Sequence, residues 1–492
     1  MENDKSSAEH VNLLTEWSVD MPEQSHRFRK SVRLQERGRE LIPGGSHTYA
    51  KGEDQYPVLA PGFIERGLGC LVWDVDGNEY IEYGMGNRSV GLGHAYPTVL
   101  RAVEKALHSG SNFTRPARIE VDCAETFLEL ISAQMVKFCK DGSDATSGAV
   151  RLARAYTGRD LIACCADHPF FSTDDWFIGT TPMNSGIPKA VQNLTVTFRY
   201  NDIASVKDLF DKHPGKLAAL ILEPSRGDDP VDGFLHEVQR LCREEGALLI
   251  LDEMITGFRW HAAGAQKLYG IEPDLSTFGK ALGNGFSVSA LAGKREYMRL
   301  GGLEHTDRPR VFLLSTTHGA ETHALAAAIA TMRTYQNEPV IEHLYYQGTK
   351  LRDGIREAAR RHGVDEHFKV VGRPCCLAYA TFDPNGKPSQ AYRSLFLQET
   401  IRRGVLLPSL VVSYTHDDTA VMRTIEAVDG ALGVYAQALE SGTSRFLVGR
   451  PSQVVFRRFN NGGAEAMTTV ENSQTANNKP KGQSETRLVA TS

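Results

Sequence analysis

The sequence predicts an α/β fold, with a mostly parallel central sheet in a large domain and a smaller α+β domain beside it. Three observations carry this. Residues 216–222 (KLAALIL), 247–251 (ALLIL) and 288–292 (VSALA) are short continuous apolar runs bounded by polar residues, the pattern of strands buried on both faces. Helical periodicity fills the intervals, most plainly over 235–245 (LHEVQRLCREE). After about residue 330 the pattern changes, and helical segments around 338–361 and 421–439 bracket strand-like pieces near 376–382 and 405–407.

Taken in order, residues 1–25 are polar and read as a loose tail, without the basic and apolar regions of a secretory signal. Residues 26–95 form an N-terminal segment expected to pack with the small domain. Within it, 70–83 (CLVWDVDGNEYIEY) reads as a hairpin about the Asp76-Gly77 turn signal. The large domain is expected over 96–330, with a helix over 147–156 (SGAVRLARAY), and the small domain over 331–455. Residues 456–492 form a second polar tail; from Asn460 onward there is neither an aromatic residue nor an Ile to build a core.

Composition narrows the class. At 492 residues the chain can bury a sizeable core without disulfide or metal staples, and no metal is expected. A net charge of −5 argues against nucleic acid or an anionic membrane surface held by bulk electrostatics. No apolar run approaches the ~18 residues of a membrane span. The eight cysteines contain no C-x-x-C pair, and Cys164–Cys165 and Cys375–Cys376 are badly placed for structural bridges. Free buried thiols in a cytoplasmic enzyme are the expectation.

Ligands of open α/β sheets bind beyond the carboxyl ends of the strands, so the residues after each apolar run carry the argument. Leu222 is followed by Glu223 and Leu251 by Asp252; then come Gly279, Lys280, Gly283 and Gly285 in a run of small residues. A strand-end carboxylate followed by a lysine among glycines fits a pyridoxal phosphate site. That cofactor needs a lysine for its Schiff base and a carboxylate to keep its pyridine nitrogen protonated. Gly142 and Ser143 precede the 147–156 helix and can offer backbone N–H groups to a phosphate. Phe170 is a candidate to stack on the pyridine ring. Each residue alone also has a structural reading: Asp252 as a helix cap, Lys280 as a solvated loop charge, Gly142 and Ser143 as an ordinary helix start, Phe170 as packing.

Together, LIPGGS (41–46), GLGHAYP (91–97), SGAVRLARAYTGRD (147–160), LDEMITGFR (251–259) and PDLSTFGKALGNG (273–285) resemble the class III aminotransferases of fold type I. The likeness covers roughly residues 30–450 and is greatest for the branch containing glutamate-1-semialdehyde aminomutase. It implies that Lys280 carries the cofactor and later moves protons. It implies that Asp252 partners the pyridine nitrogen, Gly142 and Ser143 bind the phosphate, and Glu223 orders the pocket. Thr317, in STTHG, matches a threonine that reaches the phosphate of the neighbouring subunit, so a homodimer with shared active sites is implied.

Departures bear on substrate. Phe170 stands where relatives usually place Tyr, and Asp144 where Glu is common. Lys51 occupies the position of the arginine with which the aminomutase grips its substrate carboxylate; lysine lacks the bidentate fork, and Lys51 is also readable as a surface charge. The 168–177 element (HPFFSTDDWF) looks more like aminomutase-related aminotransferases of surface-polysaccharide and secondary metabolism. The expected activity is amino transfer from a small-molecule donor to a small carbonyl acceptor. The alternatives are the true aminomutase making 5-aminolevulinate, and a decarboxylase or racemase using the same cofactor.

Overall fold

The computed structural model describes residues 27–460, so the tail expected at 1–25 lies outside the described residues, as does that expected at 456–492 except for its first five residues, where Arg457 pairs with Asp54 at 2.7 Å. The three apolar runs are strands, and they belong to one sheet. In chain order the strands are β1 (Ile64–Leu68), β2 (Leu71–Asp74), β3 (Glu79–Glu82), β4 (Met135–Cys139), β5 (Leu161–Cys165), β6 (Thr195–Phe198), β7 (Leu217–Leu222), β8 (Leu248–Asp252), β9 (Leu275–Phe278), β10 (Ser289–Gly293), β11 (Phe368–Val371), β12 (Ala378–Thr381) and β13 (Val405–Leu406).

Seven of them form the central sheet, in the order β4-β10-β9-β8-β7-β5-β6. Pairing is parallel except at β10, which runs antiparallel to both β4 and β9. Every residue of β7 and β8 is buried, the signature of strands covered on both faces. The carboxyl ends of β4, β5, β7, β8 and β9 therefore lie along one edge of the sheet.

The helix expected over 147–156 begins earlier and spans Gly142–Thr157. Asp141 caps it, its side chain accepting the Asp144 N–H at 3.1 Å. That capping signal lies upstream of the apolar periodicity, which is why periodicity alone starts the helix late. Leu235–Glu245 lies within the helix Phe234–Glu245.

The hairpin about Asp76-Gly77 forms as β2 and β3, with Leu71 opposite Ile81 and Gly77 at a φ of +91° in the turn. Its sheet is completed from the far end of the chain: β13 pairs parallel with β3, Val405 opposite Ile81. The N-terminal and C-terminal segments are thus hydrogen-bonded to one another. Beyond the large sheet, helix Val340–Arg361 packs on helix Asp418–Ser441, which also covers helix Gln390–Arg402. All eight cysteines are free and buried, and no helix among the described residues is long and apolar enough to cross a membrane.

Candidate active site

Lys280 follows β9 by two residues, and Asp252 ends β8. Between them Gly279 is extended, and any Cβ there would meet Ser289 Oγ and come within 2.6 Å of the Met254 sulfur. Lys280 itself takes a φ of +45°, a left-handed conformation that costs a non-glycine residue energy and concentrates at functional positions. Its ammonium has no hydrogen bond or ion pair among the described residues. Burial holds it below the usual lysine value; Asp252 and Glu223 oppose that, while Arg88 and Arg226 add to it.

The Asp252 carboxylate is buried, and only one of its oxygens is engaged. Oδ1 accepts the Met254 N–H at 3.0 Å and the Thr277 hydroxyl at 3.1 Å; Oδ2 has no partner among the described residues. Burial, with repulsion from Glu223, pushes the acid up to about 7 against the pull of Lys280. A group in that state gains most by meeting a cation.

Glu223 leaves β7 into the same space. Its Oε1 accepts from Arg226 Nη1 at 2.7 Å, while Oε2 is buried and unpaired. Burial raises this acid, but Arg226, His168 and Lys280 outweigh it and hold the carboxyl below its usual value. The Glu223 N–H donates to His168 Nδ1 at 3.0 Å, which leaves the imidazole proton on Nε2. Burial drives His168 down to about 4, so the ring is neutral at pH 7.

The Gly142 and Ser143 amides sit at the N-terminal end of a helix of 16 residues, where orphan N–H groups and the dipole favour an anion. The Ser143 hydroxyl accepts from the Thr173 N–H at 3.0 Å and keeps its own proton to donate. Thr146 Oγ1 donates to the Phe171 carbonyl at 2.8 Å, and Trp176 Nε1 donates to Ser147 Oγ at 2.8 Å. These bonds tie the 168–177 loop to the first turns of the Gly142–Thr157 helix. Phe170 projects from that loop with 42% of its surface exposed and only an edge contact to Phe177, at 5.7 Å.

Lys280, Asp252 and Glu223 are therefore brought together. Thr317 is exposed, its carbonyl accepting from Asn112 at 2.9 Å, and it makes no side-chain contact with that group. Lys51 is exposed on a short turn of the N-terminal segment, with no hydrogen bond or ion pair among the described residues. His94, in the GLGHAYP turn, faces Glu82 at 3.0 Å. Three site residues escaped the sequence reading: His168, which fixes Glu223; Thr277, which fixes Asp252; and Arg226. For Arg226 a signal existed, a cation three residues after the strand-end Glu223.

The residues present fit pyridoxal phosphate. The site offers an unpartnered amine, a buried carboxylate with one free oxygen, an amide cradle at a helix end and an exposed aromatic face. The architecture is that of solved pyridoxal-phosphate proteins: the internal aldimine form of the FumI protein of Sphingopyxis sp. is 30% identical, with a TM-score of 0.77 over 84% of this chain and 97% of that one. An omega-transaminase from Sphaerobacter thermophilus is 28% identical, with a TM-score of 0.74 over 83% and 98%. The profile of the family Aminotransferase class-III matches residues 48–428, and the chain belongs to that family. Among its curated relatives are glutamate-1-semialdehyde 2,1-aminomutases of Alkaliphilus metalliredigens, 32% identical over 82% of this chain and 95% of that one, and of Acetivibrio thermocellus, 34% identical over 81% and 96%.

Proposed function

We propose that this chain is a pyridoxal-phosphate-dependent aminotransferase of the glutamate-1-semialdehyde aminomutase-like branch, moving an amino group from a small-molecule donor to a small carbonyl acceptor. The observation that carries it is the meeting of Lys280, Asp252 and Glu223 at the carboxyl ends of β7, β8 and β9, in a chain of this family. When bound, the cofactor supplies an electron sink for the pair released when a substrate C–H bond breaks. Lys280 would carry it through its amine, and Asp252, whose Oδ2 has no partner among the described residues, would keep its ring nitrogen protonated. Gly142 and Ser143, at the N-terminal end of their helix, would hold its phosphate, and Phe170 would offer a face to its ring.

The burial that lowers the Lys280 ammonium leaves more free amine at neutral pH. That amine is the base that takes the proton from the amino-bearing substrate carbon and returns one after the charge has moved. Glu223, clamped by Arg226 and His168, stays ionised and orders the pocket.

Residues 96–330 act as the cofactor domain, and 26–95 joins 331–455 as the smaller one. The enzyme works in the cytoplasm as a homodimer in which Thr317 reaches the phosphate held by the partner. A second reading, the aminomutase itself, is favoured by the names of the 32–34% identical relatives. Supplying glutamate-1-semialdehyde without any amino donor separates the two. Formation of 5-aminolevulinate under those conditions overturns the aminotransferase reading; amino transfer that requires a separate donor supports it.

A further inference from the structure

We propose that Arg226 and Arg88 form an anion subsite beside Lys280, which makes this enzyme selective for substrates bearing a carboxylate besides the amino or carbonyl group being converted. The proposal rests on Lys280 being the reacting amine.

Arg226 is placed like a ligand-binding arginine. Its side chain is 18% exposed, so the guanidinium borders accessible space. Its Nη1–Glu223 bond of 2.7 Å is the one hydrogen bond it makes among the described residues, and its other N–H donors are free. Glu223 holds the fork rigid without consuming it. A fork fixed at one corner, with its other donors unpaired among the described residues, suits bidentate capture of a carboxylate.

Arg88 arrives by an unusual route. Met85, Gly86, Asn87 and Arg88 have φ values of 42°, 57°, 56° and 71°, four successive left-handed residues of which one is glycine. Such strain persists where surrounding structure over-determines it, and it concentrates at ligand sites. Here the turn is pinned. Arg259 Nη2 donates to the Arg88 carbonyl at 3.2 Å, and the Leu92 N–H donates to Asn284 Oδ1 at 2.9 Å. A Cβ on Gly91 would lie 3.3 Å from that of Ala281, which follows Lys280 in sequence. The strained segment is thus docked against the lysine loop, and Arg88 and Arg226 both act electrostatically on Lys280 and on each other.

The charge balance of the pocket points the same way. With Lys280 committed to the cofactor and Asp252 to its ring, the remaining charges around the site are the cations Arg226, Arg88 and Arg259 and the carboxylate Glu223. Arg259 is fully buried and bonded only to the carbonyls of Val412 and Arg88, both at 3.2 Å, with Nε unpaired. Confined cations without matching anions repel one another, so an anionic substrate group relieves the pocket where a neutral one does not.

The test uses the purified holoenzyme and a matched pair of amino donors, an ω-amino acid and the straight-chain amine of equal length that lacks its carboxylate. Glutarate, which cannot react, serves as a binding probe by calorimetry. A lost charge-assisted hydrogen bond is worth about a 10–100-fold change. Arg226→Gln is therefore expected to lower the amino-acid-to-amine ratio of kcat/KM by about that factor and to weaken glutarate binding alike. Arg226→Lys should recover part of both, and Arg88→Gln should shift the same ratio. An equal fall for both donors, or glutarate binding that ignores Arg226, overturns the proposal. A wild type that takes the amine as readily as the amino acid overturns it too. Because glutarate binding does not depend on turnover, absence of amino transfer from any donor would refute the functional reading and leave the subsite measurable.

Discussion

Replacing Asp252 by asparagine should push stability and activity in opposite directions. Asparagine is nearly isosteric, and its side-chain oxygen can still accept from the Met254 N–H and the Thr277 hydroxyl, which lie at 3.0 and 3.1 Å. What it removes is a buried charge. In the cofactor-free chain the Asp252 acid sits at about 7, against 3.8 for an ordinary aspartate. Its folded value lies above its unfolded value, so its cost is absent at low pH and grows as pH rises toward 7. At about 1.4 kcal/mol per unit, ionised Asp252 costs the cofactor-free protein about 4 kcal/mol at pH 8 and less than half of that at pH 5. Cofactor-free Asp252→Asn should therefore melt above cofactor-free wild type at pH 8, with the gap shrinking toward pH 5. The loaded variant, unable to hold a proton on the ring nitrogen, should lose about 3–5 kcal/mol of stabilisation, or at least a hundredfold in kcat. Thermal melts at two pH values and a steady-state assay read both. A variant less stable than wild type at pH 8, or a gap indifferent to pH, would refute the burial argument; wild-type kcat would refute the role of the carboxylate.

Further predictions concern the neighbours of this group. His168 is held near 4 by burial, so the folded protein should lose stability as pH falls from 6.5 toward 4, and His168→Phe should flatten that loss in acid melts. Gly279→Ala places a Cβ within 2.6 Å of the Met254 sulfur; it should cost about 1–3 kcal/mol by overpacking and weaken cofactor retention on dialysis. Arg373 Nε meets Asp229 at 2.7 Å across partly exposed surface, a pair worth about 0.5–1 kcal/mol. Arg373 and the Tyr269 hydroxyl hold the Asp229 acid below its usual value despite burial, so this contribution is present at neutral pH and lost as pH falls through that lowered value. Arg373→Ala should lower the melting temperature slightly at pH 7, and the effect should shrink as pH falls below about 4.

Much of this site was legible because its key residues fall where strand patterning puts them. The all-apolar runs of β7 and β8 need cover on both faces, and the first charged residues after them, Glu223 and Asp252, are at the ligand edge by necessity. Lys280 was legible from the glycines that give it room. Less legible were partners that come together only through tertiary contact. Thr277 looks like any strand residue until the β8–β9 pairing sets it opposite Asp252. His168 acquires its role from a bond to the backbone of Glu223, 55 positions away. Arg88 lies in a left-handed run that Gly86 and Asn87 permit but that Met85 and Arg88 do not favour, and its docking on the lysine loop is a tertiary contact without a local sequence mark. The strand at 405–407 was visible as β-rich, but its pairing with β3 across the chain was not, since register carries no local sequence mark.

The central claim is that Lys280 carries the cofactor and performs the proton transfers. Lys280→Ala removes an amine from a strained loop position without emptying the core, so the protein should keep its far-ultraviolet circular dichroism and its oligomeric state. The visible absorbance of lysine-bound cofactor should vanish, and amino transfer should fall to background. A folded Lys280→Ala protein that keeps that band or wild-type turnover would contradict the account.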